Sequence, residues 1–193
     1  MTELEVLCAE LTCGDDLRAE QAALCLPEFG IVALQALREL LKAQDADVRW
    51  WSVRALAGFG DEVDITPELL MALEDGSEEV RQAAAMGFCH HPNPLAVPAL
   101  TSSLADADPL TAKLASNALI LLGPAATPDL LAVLTGGIAS ARLEAVRALA
   151  EIKDPGAIPG LLKALETDSA LMQYWAGLGL DKLGVGMLYL KPE

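Results

Sequence analysis

Leucine recurs in this chain at two fixed distances from a register that repeats six times, and that pattern leaves few folds open. Take Arg18, Val48, Val80, Thr111, Ala141 and Met172 as equivalent positions, spaced 30, 32, 31, 30 and 31 residues apart. Eleven residues before them stand Leu7, Leu37, Leu69, Leu100, Leu130 and Leu161; seven before stand Leu11, Leu41, Leu73, Leu104, Leu134 and Leu165. Four after come Ala22, Ser52, Ala84, Ala115, Ala145 and Ala176, and eight after come Leu26, Leu56, Phe88, Leu119, Leu149 and Leu180. Offsets separated by four residues are neighbours on one helix face. Each unit therefore predicts two short helices, and a helix pair of this size buries its apolar face only by stacking on its neighbours.

The breaks between helices follow from backbone chemistry. In Ala141–Asp168, Asp154-Pro155-Gly156 ends one helix, because proline and glycine cannot continue it and Asp favours turns. Pro159 then opens the next, where a missing N–H costs nothing, and Pro67, Pro98 and Pro128 do the same in earlier units. The chain is 53% hydrophobic but only 4% aromatic, so small aliphatic side chains carry the packing, and no stretch alternates as a strand would. The expected class is all-α. The expected organisation is a single domain over 1–193, with units at about 2–30, 31–61, 66–92, 95–123, 127–153 and 158–184. Residues 185–193 are expected to fold back as a cap through Met187, Leu188 and Leu190.

The segments IPGLLKALE (158–166) and EEVRQAAAMGF (78–88) resemble HEAT-like repeats of the short kind found in phycobilisome bilin lyases. The resemblance runs from about Thr2 to Gly184. It implies a right-handed α-α superhelix, a solenoid of six two-helix repeats whose second helices line the concave face. It carries little about function, because such repeats serve scaffolds, lyases, hydroxylases and glycosylases alike.

Charge narrows the partners. The chain holds 28 Asp and Glu against 13 Lys and Arg, a net charge of −15, which opposes approach to nucleic acid or an anionic membrane and favours a basic protein. The first residues are acidic and show no signal peptide, and no apolar run is expected to reach the roughly 18–20 residues of a membrane span. A cytoplasmic location follows. Cys8, Cys13, Cys25 and Cys89 form no paired motif and are expected to be reduced, with Cys8, Cys13 and Cys25 as buried structural thiols. His90 and His91, the only histidines, sit beside Cys89, but three consecutive helical residues cannot face one metal, so no metal site is expected. His91 falls at the +11 position and should pack at a helix end.

No catalytic constellation is recognisable, and none of the His-Glu pairs of iron-dependent HEAT-repeat hydroxylases is present. Neither catalytic residues nor a cofactor is therefore expected. Arg49, Arg81 and Arg142, one residue after their register positions, should form turn-stabilising ion pairs with acids such as Asp45, Asp47, Asp75 and Glu79. With the register, +4, +8 and +11 positions buried, positions +2 and +6 form the expected exposed ridge. Its candidate partner-binding residues are Trp50, Arg54, Gln82, Met86, Asn117, Arg147 and Tyr174, a mixture typical of interface hot spots. The competing reading is that Trp50, Trp51, Tyr174 and Trp175 merely fill gaps between small residues. The leading functional expectation is a non-enzymatic interaction scaffold, monomeric or homodimeric, that holds a protein partner. The alternatives are a bilin lyase or lyase subunit, implied only by the resemblance, and a homo-oligomeric structural repeat protein.

Overall fold

The computed structural model describes residues 2–60, 62–167 and 169–185, and the residues expected to form the C-terminal cap lie outside that range. Every described element is helical. The helices fall into two compact units, Met1–His91 and Pro92–Glu193. The first holds α1 (Glu3–Leu11), α2 (Asp16–Cys25), α3 (Gly30–Leu40), α4 (Ala46–Leu56), α5 (Thr66–Ala72) and α6 (Glu78–His90). The second holds α7 (Val97–Ser103), α8 (Pro109–Leu122), α9 (Thr127–Gly136), α10 (Ala139–Ile152), α11 (Ile158–Leu165) and α12 (Ala170–Lys182). Within the first unit α2, α4 and α6 stack in succession; within the second, α8, α10 and α12 do. Pro67, Pro98, Pro128 and Pro159 each sit in the first turn of their helix, as expected.

The leucine columns are the core. Five of the six leucines at −11 are fully buried, as are all the +4 and +8 residues. A further column went unread in the sequence: position +7 holds Cys25, Ala55, Gly87, Ala118, Ala148 and Gly179, small throughout. The reason is steric. A Cβ on Gly87 would lie 2.9 Å from the Leu69 side chain, and one on Gly179 would lie 3.0 Å from Leu161 and 2.9 Å from the Ala150 Cα. Leu69 and Leu161 are both −11 leucines, so in these two pairs the first helix seats its leucine on the +7 glycine of the second.

Polar groups finish the helix ends. Asp15, Asp45, Asp108 and Ser169 cap α2, α4, α8 and α12 with side-chain oxygens that accept backbone N–H groups. The same position before α10 is Ile138, which is 59% exposed and gives no cap. At +12 the chain leaves each second helix, and Gly30, Gly123 and Gly184 adopt positive φ there; so does Lys153 at φ 58°, the only described non-glycine residue to do so.

Two expectations are corrected. The stretch Pro109–Gly136, 28 residues, is long and apolar enough by length and composition to cross a membrane; only Lys113 and Asp129 charge it. It folds as α8, a 3-10 turn at Gly123–Ala126 and α9, with Leu114, Leu119, Leu130 and Leu134 buried. The three cysteines expected to be buried are not: Cys13 is exposed, while Cys8 and Cys25 are half-buried. Cys13 lies in the α1–α2 turn, where nothing covers it.

Candidate functional site

The arginines one residue past the register positions lie at the turns between first and second helices. Arg49 forms a two-pronged ion pair with Asp75, Nε to Oδ2 at 2.7 Å and Nη2 to Oδ1 at 2.8 Å. Its Nη1 also donates to the carbonyls of Ala43 and Gln44, which close the turn after α3. Arg81 Nη1 donates to the Asp75 and Gly76 carbonyls, and Arg142 Nε donates to the Leu134 carbonyl. Gln173, at the same position in the first turn of α12, donates to the Leu165 and Thr167 carbonyls. These side chains tie down the C-terminal ends of the first helices. Asp75 gains from this: the Arg49 guanidinium holds its carboxyl below the ordinary range, and the reciprocal effect raises Arg49. His91 packs as expected, its Nε2 3.0 Å from the Ala57 carbonyl.

The second-helix ridge is more deeply set than its residue types suggest. In the first unit Trp50, Arg54 and Gln82 are half-buried and Met86 is exposed. Arg54 Nη2 donates to Glu20 Oε1 at 2.9 Å, linking α4 back to α2. In the second unit Asn117 is half-buried, Tyr174 is 61% exposed, and Arg147 is only 8% exposed. Arg147 Nε donates to Glu144 Oε2 at 2.8 Å, and its Nη2 donates to Asn117 Oδ1 at 3.1 Å and, more weakly, to the Lys113 carbonyl. The expectation of an exposed ridge thus fails at Arg147. At +6, Arg54 and Arg147 reach back to the preceding second helix, whereas Met86 at the same position stays exposed.

Aromatic residues recur at one register. Trp50 and Trp51, at +2 and +3 on α4, meet edge to face with centroids 4.7 Å apart and planes at 85°. Tyr174 and Trp175, at +2 and +3 on α12, do the same at 5.4 Å and 75°. Trp50, Trp51 and Trp175 are half-buried and Tyr174 is exposed, so both rings of the first dyad and one of the second are partly set among helices. Charge is uneven as well. Residues 1–91 carry 18 carboxylates against 6 Lys and Arg, whereas residues 92–193 carry 10 against 7. Among the described residues no group of His, Cys, Asp and Glu could hold a metal.

Comparison with known proteins agrees with this repeat geometry. The HEAT repeats family matches residues 66–141, and the PBS lyase HEAT-like repeat matches 48–75 and 141–167. This is a HEAT-like repeat protein. Over 111 residues it is 39% identical to the phycocyanin alpha phycocyanobilin lyase CpcF of Synechocystis sp., covering 55% of this chain and 52% of the relative. The chain thus matches about half the length of that curated relative. Among solved structures, the complex of CpcE and CpcF of phycocyanin lyase from Nostoc sp. aligns with a TM-score of 0.56 at 22% identity, over 95% of this chain and 78% of that one. A designed armadillo repeat protein in complex with the peptide (KR)4 aligns at 0.57 and 22% identity, over 94% and 100%. At such identities these two structures establish the fold alone: an all-α repeat solenoid of the HEAT and armadillo type.

Proposed function

We propose that this HEAT-like chain is a non-enzymatic scaffold, acting in the cytoplasm, that holds a basic segment of a protein partner along the concave face lined by its second helices. The observation that carries the reading is the aromatic dyad at +2 and +3, present on α4 and again on α12. Rings presented on rigid helices give contact area at little ordering cost. The unit that holds the first dyad carries 18 carboxylates against 6 Lys and Arg, and an electron-rich ring face on a strongly acidic unit suits Lys and Arg.

Fluorescence anisotropy of a labelled Lys-Arg repeat peptide tests this. Trp50→Ala with Glu20→Gln is expected to weaken binding at least about tenfold, a loss of about 1.4 kcal/mol. Arg54→Ala alone is expected to strengthen it, because Glu20 is then released from its ion pair. Unchanged affinity in both variants refutes the assignment.

A second reading is favoured by the identity to CpcF: a subunit of a bilin lyase that works with another HEAT-like chain. Incubation with phycocyanobilin and an apo-phycocyanin α subunit, with and without such a second chain, tests it by the appearance of a denaturation-resistant visible band. A spectrum without that band in every combination removes this reading.

A further inference from the structure

Among the described residues, Arg142 lacks the carboxylate that its counterpart in the first unit holds. Arg49 grips Asp75, five residues before the next register position, and Asp106 stands at the same place after Arg81. After Arg142 that place is taken by Thr167, which carries no charge. Arg142 donates its Nε to the Leu134 carbonyl, and among the described residues its two Nη groups have no acceptor. The Nη1–Nη2 edge of a guanidinium takes a carboxylate in the same two-pronged way as the edge that Arg49 uses.

Arg142 lines a cavity of about 280 Å³ that lies wholly within the second unit, among α9, α11 and the first turns of α10 and α12. Its apolar wall includes Leu134 and Met172, both buried, and the half-buried Leu131. A Cβ on Gly160 would strike the Leu131 side chain, so α9 and α11 are closely packed at this wall and it is preformed. The charged lining is the half-buried Arg142 with Lys163 and Glu166, both exposed. Arg142, Thr167 and Met172 also line an adjoining hollow of about 480 Å³, which gives a ligand held at Arg142 room to continue.

The lining selects the occupant. Thr135 and Thr167 donate their hydroxyl hydrogens to the Leu131 and Ala164 carbonyls, so Arg142 and Lys163 are the side chains left to donate to an anion. One guanidinium edge beside an apolar wall suits a flat, two-oxygen anion on an apolar body better than a phosphate, whose oxygens all need donors or water. We infer that this cavity binds a carboxylate carried on an apolar body, with its oxygens on the Nη1–Nη2 edge of Arg142, Lys163 beside them, and the apolar body against Leu131, Leu134 and Met172. Two sources share this chemistry: a chain terminus with an apolar last residue, and a free organic acid. No lining residue belongs to an aromatic dyad, and the inference does not depend on what the dyads bind.

The test titrates the full chain with hexanoate, with hexanamide, and with a short peptide ending in Leu-Leu as the free acid or the C-terminal amide, following the backbone amide signals of Gly160 and Thr167 by NMR. At least one acid is expected to bind saturably, and its matched amide at least about tenfold more weakly. Tighter binding of the peptide acid gives the site to a chain terminus, and tighter binding of hexanoate gives it to a free acid. Arg142→Gln should weaken the preferred acid at least about tenfold. Arg142 also ties down the Leu134 carbonyl, so Lys163→Gln, at an exposed side chain, is the second variant and should weaken it about threefold. Equal binding of acid and amide, inorganic phosphate moving the same signals as strongly as hexanoate, no saturable shift with any probe, or affinity unchanged in both variants overturns the inference.

Discussion

Replacing Arg49 with alanine removes a side chain that does two things at once, and the structure allows the cost to be worked out. The variant loses the two-pronged pair with Asp75 and two charge-assisted bonds to the Ala43 and Gln44 carbonyls. Both charged side chains are largely withdrawn from water, Arg49 at 16% and Asp75 at 14% exposure. Breaking a fully buried pair costs roughly 3–5 kcal/mol, and an exposed pair is worth about 0–1 kcal/mol. A pair with a small opening to solvent should fall between, at about 2 kcal/mol. For a chain of this size that lowers the melting midpoint by about 4–8 °C, read by far-UV circular dichroism. Acid should narrow the difference to what the two carbonyl bonds contribute. Asp75 is held below its ordinary value by Arg49, so the pair contributes fully above the unfolded carboxyl value of about 3.9 and fades as pH falls through the lower folded value. The gap between wild type and Arg49→Ala should therefore be complete at neutral pH and shrink below about pH 4. A double-mutant cycle with Asp75→Ala should return a coupling above about 0.5 kcal/mol. Zero coupling, or a gap that stays the same in acid, would refute the reasoning.

Three other outcomes follow from the packing. Ile138→Asp supplies α10 with the cap it lacks and should raise stability by about 0.5–1 kcal/mol in urea titration; a loss would mean that exposed Ile138 packs against something. Gly177→Ala and Gly179→Ala, two residues apart on α12, should differ in sign. The first meets open space and gains about 1 kcal/mol of helix propensity, while the second strikes the Ala150 backbone and destabilises. Equal effects would show that α12 and α10 are not so closely packed. In timed maleimide labelling at mildly alkaline pH, exposed Cys13 should react before Cys8 and Cys89, whose thiols burial pushes above their ordinary value. Faster labelling of Cys8 would contradict the placement of α1 on α2.

The repeat was legible because leucine at −11 and −7 faces alanine at +4 and leucine at +8, so one-dimensional spacing coincides with the core. What escaped was anything set by two helices at once. The +7 column looks like ordinary alanine and glycine until Leu69 is seen resting on Gly87. Arg147 reads as a surface hot spot by residue type, yet Asn117 of α8 draws it inward beside its own-helix partner Glu144, and the Asn117 contact is one that a single helix does not reveal. Cys13 was misjudged for the opposite reason: cysteine is usually buried, but a turn between short helices has nothing above it.

The residue at +12 has a consequence for how such a chain can grow. Gly30, Gly123, Lys153 and Gly184 leave their helices with φ between 56° and 76°. Gly30 and Gly123 share one backbone state, with ψ of −134° and −140°, whereas Lys153 is left-handed with ψ 34°. A pair inserted after a joint of the Gly30 and Gly123 kind would meet a connection the chain already uses, whereas one inserted after Lys153 would need its connection rebuilt. Lys153 marks the joint where that freedom is dearest, since a side chain there must be held in a left-handed conformation that glycine adopts freely.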